Sequence, residues 1–401
     1  MEAYILDWLN LVGRWVHLVT GIAWIGASFY FVWLDNHLEE PKQQTDIDRG
    51  VGGEVWSVHG GGFYHAQKYK VAPRTLPETL HWFKWEAYST WLSGIFLLAL
   101  IYWYGAGIYL IDSSVADIGK TAAVLTGIAS LVAGWLVYDF MCKSPLGSNE
   151  KVLAVALLVF VSLMAWLLCQ IFSGRGAFIH FGAMLGTIMV ANVAMVIIPG
   201  QKELVAATLE GRDPDPKYGQ DGKQRSVHNT YFTLPLLFVM VSNHYAMTYG
   251  HRYNWLILVA LSLAGALVRV YFVARHKGRA SLVPLVAGAA LLLGVAAAVV
   301  PGPVKNPEIS KINGGVTFAQ VESVIRERCT TCHATQPTQA GFAAAPAGLV
   351  LDEASDITTQ AAKIHQQAVV SKVMPIGNLT KMTEDERALI DEWFKAGAKI
   401  D

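Results

Sequence analysis

The chain has 401 residues, of which 53% are hydrophobic and only 15% charged. Soluble domains carry about 25% charged residues, so this composition argues against an ordinary soluble enzyme. Lys+Arg and Asp+Glu both total 31, which leaves no net field for nucleic acid, and 4 cysteines rule out a disulfide scaffold.

About 20 consecutive apolar residues cross a bilayer. Such runs lie at roughly 10–34, 85–104, 121–139, 152–171, 177–198, 231–249, 254–274 and 281–300. They predict an all-α, polytopic membrane helix bundle of about eight spans over residues 1–300. Glu2 and Asp7 precede the first run and no Lys or Arg does, so a cleavable signal peptide is not expected. The loops at 35–84, 140–151, 199–230 and 275–280 carry sixteen Lys and Arg, against Lys120, Arg175 and Arg252 in the opposite loops. The positive-inside rule then puts those basic loops in the cytoplasm and both chain ends outside.

Residues 301–316, rich in Pro and Gly, read as a linker to a small domain at 317–401. Thr317 with Gln320 and Thr383 with Glu386 have capping-box spacing, predicting helices to about Arg328 and Ala396, with a third helix over 356–371. Between them, Cys329-Thr-Thr-Cys332-His333 is the C-x-x-C-H signature of covalent haem c. Two thiols one turn apart add to the two vinyl groups, and the following imidazole reaches the iron. A redox dithiol or half a zinc site are the competing readings. Met374, on the Pro- and Gly-pinned loop Val373-Met-Pro-Ile-Gly-Asn378, is the expected sixth ligand, with Met382 and His365 as rivals. Met/His ligation raises the potential, as suits an electron carrier. The domain reads as a class I-like cytochrome c.

Ionisable residues inside spans are costly and mark function. By this topology His17, His180 and His244 fall on the outer tier, beside the external domain, and are candidate ligands of a non-covalent haem b. Their bland alternative is helix pairing. Arg14 is a candidate partner for haem propionates. His59, His65, His81 and Arg74 fall on the inner tier, where the loop Trp56–His65 carries a glycine triplet and aromatic side chains suited to a flat anionic ring. Its alternative is a plain surface loop with a Gly-rich bend.

The opening Arg14-Trp-Val-His17-Leu18, the run Gly21–Phe29, the segment His59-Gly-Gly-Gly-Phe-Tyr-His65 and the run Leu80–Glu86 resemble the bacterial membrane-bound urate hydroxylase (urate oxidase) family. A multi-span domain followed by one cytochrome c tail fits that family, and the likeness covers essentially the whole chain. His17 and Trp24 also keep the H-x(6)-W spacing of the membrane-embedded protoporphyrinogen oxidases, where the histidine is taken as a haem ligand. By that analogy His81 is a possible second ligand. The resemblance implies oxidation of urate to 5-hydroxyisourate, with His59, His65, Arg74 and His81 binding the ring and taking protons. Electrons would pass through haem to the tail, then to a terminal cytochrome c oxidase or a soluble cytochrome. A membrane dehydrogenase for another substrate, or a haem subunit that only relays electrons, are the alternatives.

Overall fold

The computed structural model describes residues 1–276, 278, 281–300 and 316–400. Nearly all of the expected linker therefore lies outside the described residues. The first 300 residues form a helical body. Its helices are α1 (Glu2–Asn36), α2 (Trp85–Leu97), α3 (Lys120–Lys143), α4 (Glu150–Ile171), α5 (Gly174–Asn192), α6 (Ile198–Leu209), α7 (Pro216–Ser242), α8 (Asn254–His276) and α9 (Val283–Ala298). A π-helical turn, Leu98–Trp103, prolongs α2, and another, Val193–Ile197, joins α5 to α6.

Among the described residues, five helices are long and apolar enough to cross a membrane: Tyr4–Asn36, α3, α4, the continuous Gly174–Leu209, and α8. The other expected spans are helical too, but α2 and α9 are shorter. The helix expected at 231–249 begins at Pro216 and ends at Ser242, because its first turns are polar and Asn243-His244 lie in the turn that follows. The first helix starts at Glu2 rather than near residue 10.

The expectation of an all-α chain is corrected at one place. Val51–His59 (β1) and Gly62–Tyr69 (β2) form an antiparallel hairpin, with Trp56 opposite His65 and Val58 opposite Phe63. Gly60 and Gly61 make its two-residue turn at φ 57° and 81°. Type I′ turns need positive φ at both central positions, and these glycines supply it.

In lipid each backbone polar group must be bonded within the protein, so caps matter. Asn149 Oδ1 accepts from the N–H groups of Lys151 and Val152 at the start of α4. Ser173 Oγ accepts from Gly176 N–H and donates to Tyr109 O, tying α5 to the turn Ala106–Tyr109. The core surrounds α5, which packs on α2, α3, α4 and α7. Glycines permit the approach: a Cβ on Gly127 would stand 2.7 Å from His180 Nε2, and one on Gly182 would stand 2.5 Å from Val239 Cγ1.

The C-terminal unit has its own core, with Val321, Ile325, Leu351, Ile357, Ile390 and Trp393 buried. Its helices are α10 (Phe318–Arg328), α11 (Ala354–Thr359) and α12 (Glu384–Lys395). The single helix expected at 356–371 is broken: at Gln360 the backbone leaves helical geometry (φ −97°, ψ 8°), and a short turn and a π-helical turn follow. Thr383 and Glu386 form the expected capping box through Glu386 N–H to Thr383 Oγ1 and Thr383 N–H to Glu386 Oε2. This unit sits against the helical body. Val373 packs into the body's core, and Gly377 (φ 56°) lies so close that a Cβ would be 2.8 Å from Ile111 O.

Arg328 joins α10 to α12 through hydrogen bonds to Glu386, the shortest 2.8 Å. Partial burial opposes ionisation of Glu386, but the bonds from Arg328 and Thr383 outweigh it and hold the carboxyl below the usual range. A carboxylate depressed in this way stabilises the fold above its unfolded value of about 4.3, and the effect is lost as pH falls through the lower folded value. The melting temperature of the C-terminal unit is thus expected to fall on acidification below about pH 4.3. Glu386→Gln is expected to melt lower at neutral pH and to flatten that fall. Superimposable profiles for the two proteins would refute the assignment.

Candidate functional site

One cavity of about 1570 Å³ runs through the helical body. Typical pockets for small ligands hold about 300–1,000 Å³, so it has room for more than one group. At the end nearest the C-terminal unit its walls include Arg14, Tyr102, Asn243 and His244; at the hairpin end they include His81, Gln201, Gln220, Lys223, Asn229 and Thr230. His17 lines it from near the middle of α1.

His17 is oriented through one ring nitrogen. Its Nδ1 meets Thr90 O at 3.0 Å and Ser93 Oγ at 3.1 Å. A carbonyl can only accept, so Nδ1 carries the proton and Nε2 keeps its lone pair. Metal-binding histidines are oriented by this kind of second bond. Gly94 leaves room for the ring, since a Cβ there would stand 3.0 Å from His17 Cε1. With Trp24 and Trp91 also on the cavity wall, the residues suit a flat macrocycle held at His17.

His180 differs. It is fully buried, donates from Nδ1 to Gly176 O at 2.9 Å and accepts at Nε2 from Trp103 Nε1 at 3.2 Å. Both nitrogens are taken and the cavity does not reach it, so the expected ligand role is corrected to helix pairing. His244, expected about one turn inside a helix, is in the turn after α7 but does line the cavity.

The inner-tier residues also separate. His81 lines the cavity, its ring edge-on to Phe83 with centroids 4.6 Å apart. His65 is on the hairpin, stacked on Trp56 at 4.2 Å and bonded to Glu54 Oε2 at 2.9 Å. His59 is exposed at the hairpin turn, and Arg74 is exposed in the segment after β2. None of these three lines the cavity, so the expected set His59, His65, Arg74 and His81 is not brought together. The hairpin's pairing carries the first two away.

Sequence reasoning missed the hairpin-end wall, above all Lys223 and Asn229, and a buried polar cluster behind it. Tyr138 OH is 2.7 Å from His228 Nδ1 and accepts from Asn192 Nδ2 at 3.0 Å. Asn192 Nδ2 also reaches Asn229 Oδ1 at 2.9 Å, and Arg225 Nη2 donates to Asp139 Oδ1 at 2.8 Å. Asn192 Oδ1 and Arg225 Nη1 are buried without a partner among the described residues. The signal was present: Arg225, His228 and Asn229 fall three and four residues apart, on one helical face. A second cluster lies toward the other end. Arg175 Nε donates to Tyr102 OH at 3.1 Å and Asn243 Oδ1 at 3.2 Å, and the guanidinium stands 5.1 Å from the Tyr109 ring centre.

In the C-terminal unit His333 repeats the logic of His17. Its Nδ1 donates to Leu349 O at 3.1 Å, leaving Nε2 for a metal. Burial pushes the Cys329 thiol up to about 12, and burial raises Cys332 as well. Redox dithiols have lowered values, so that alternative fits poorly. No cluster of three or more metal-binding side chains exists among the described residues, which disfavours the zinc alternative. The donors that remain, two thiols and one oriented imidazole, suit an attached haem. Met374 is half-buried on its loop, whereas Met382 is buried in the unit's core. His365, expected on a solvated face, instead bonds Asp391 Oδ1 at 2.8 Å and stacks on Phe394.

Tyr138→Phe removes one hydroxyl and leaves His228 and Asn192 short of a bond. It is expected to cost about 1–3 kcal/mol in detergent thermal unfolding. Unchanged stability would mean the cluster does not fasten α3 to α5 and α7.

No curated protein and no solved structure matches the chain. The family model described as urate oxidase N-terminal matches residues 3–300, the whole helical body and its hairpin. The chain therefore belongs to the urate oxidase N-terminal family.

Proposed function

We propose that this chain is a membrane-bound urate hydroxylase that passes electrons out through its C-terminal unit. The observation that carries the reading is a cavity, in a chain of this family, that joins a polar hairpin end to His17 and to the end nearest the C-terminal unit. Urate monoanion and water give 5-hydroxyisourate, one proton and two electrons. The site must therefore hold an anion, take a proton and remove electrons.

The hairpin end has the groups for the first two tasks. Lys223 supplies positive charge, and Gln201, Gln220, Asn229 and Thr230 supply hydrogen bonds to ring nitrogens and carbonyls. His81 is the base for the proton of the attacking water. His59, His65 and Arg74 are not part of this division. His17 would hold a non-covalent haem through Nε2, and Cys329, Cys332, His333 and Met374 would hold a covalent one; these groups would supply one-electron acceptors that the side chains lack. His244 is the candidate second ligand on the cavity wall, and Arg14 the candidate propionate partner. The basic loops set the hairpin end in the cytoplasm and the C-terminal unit in the periplasm, where a terminal cytochrome c oxidase or a soluble cytochrome accepts the electrons. All eight apolar segments then span the inner membrane.

Three measurements test this. Urate added anaerobically to the oxidised, purified protein is expected to produce the reduced haem c band together with a separate b-type band. Reduction by dithionite but not by urate would instead favour the electron-relay alternative. His17→Leu is expected to lose acid-extractable haem while retaining the covalent haem; normal extractable haem in this variant would remove His17 from the site. Lys223→Gln is expected to raise the urate KM roughly ten- to a hundredfold, since a hydrogen bond to a charged group contributes about 1.5–3 kcal/mol. An unchanged KM would place the anion elsewhere.

A further inference from the structure

The loop that carries Met374 is held from two sides. From its own unit, Arg387 Nη1 donates to Met374 O at 2.8 Å, and Met374 N–H donates to Gln367 O at 3.0 Å. The other side is the helical body. Val373, the residue before Met374, packs into the body's core. Gly250, just after the short turn Ala246–Tyr249, lies so near that a Cβ would stand 2.7 Å from Ser371 O and 3.2 Å from Val373 Cγ2. Three residues beyond Met374, a Cβ on Gly377 would stand 2.8 Å from Ile111 O, just after the turn Ala106–Tyr109. Ser173 holds that second turn by donating twice: its N–H reaches Leu110 O at 2.9 Å and its Oγ–H reaches Tyr109 O at 2.8 Å. The two receiving turns thus belong to the rigid core around α5.

We propose that these two turns of the helical body form a clamp for residues 371–377, so that docking of the C-terminal unit and correct placement of the Met374 sulfur are one event. Gly250 and Gly377 are its positioning residues. Both contacts are with backbone carbonyls, which cannot swing aside as a long side chain can, so a branched residue at either place must push the loop off. Gly377 adds a second restriction, since φ 56° suits glycine better than any branched residue. Once undocked, the loop would lose the packing of Val373 and keep only the bonds from Arg387 and Gln367.

This inference rests on the reading of Met374 as an axial ligand, and the test separates the two. A protease site is introduced between residues 301 and 316 of the full, haem-loaded protein. Gly377→Val and Gly250→Val are prepared in that background, with Met374→Ala as reference. After cleavage in detergent, two things are recorded: whether the C-terminal fragment still co-purifies with the helical body, and whether the oxidised protein keeps the weak far-red absorption of a Met–iron bond. The uncleaved proteins are also titrated for the potential of the covalent haem. The parent is expected to stay associated and to show the absorption, and Met374→Ala to lose the absorption while staying associated. Each glycine variant is expected to release its fragment at least tenfold more readily, to lose the absorption and to titrate at a lower potential, because exchanging the Met ligand lowers it. Release with the absorption and potential intact would overturn the coupling. Continued association of both variants would overturn the clamp itself. A parent without the far-red absorption would instead refute Met374 as ligand.

Discussion

Close approach to one helix governs the rest of the molecule. In lipid there is little hydrophobic force between helices, so contact area must come from tight packing and from polar pairs. Helix α5 obtains it through glycines on its neighbours and on itself. Gly127 admits His180, Gly134 admits Met184 and Gly182 admits Val239. The polar pairs follow from the same geometry. His180 closes onto Trp103, and Asn192 reaches Tyr138 and Asn229 only because the backbones are this near. These contacts place α2, α3, α4 and α7 around α5, and the cavity is what remains between α5, α7 and the more peripheral α1.

Two imidazoles serve as ligand candidates for the same local reason. In His17 and His333 a backbone carbonyl fixes the proton on Nδ1 and so leaves Nε2 free. His180 has the same carbonyl bond but spends Nε2 on an indole. One hydrogen bond therefore separates a structural histidine from a candidate ligand, although His17 and His180 look alike in the sequence as isolated polar residues in apolar surroundings.

That difference marks the limit of what could be read beforehand. Helices α1, α3, α4 and α8 were legible from apolar length, and both capping boxes, Thr317–Gln320 and Thr383–Glu386, from spacing. The hairpin was written in the alternation on either side of Gly60-Gly61 but was taken for a loop. Helix α7 ran earlier than expected because its polar first turns hide it from any apolar count. The hairpin-end wall was illegible for a deeper reason. His81 lies far along the chain from Lys223 and Asn229 of α7, and only packing brings them to one cavity.

The turn that receives Gly377 also bears on how strong the contact between the two units has to be. They share one chain, and the segment joining them runs from residue 301 to 316. A short covalent tether holds its ends at an effective concentration that reaches about the millimolar range. A patch as small as one loop between two turns can then stay occupied with an intrinsic affinity that separate proteins could not use. Joining the two units in one polypeptide also fixes their ratio at one to one, so neither has to find the other by diffusion.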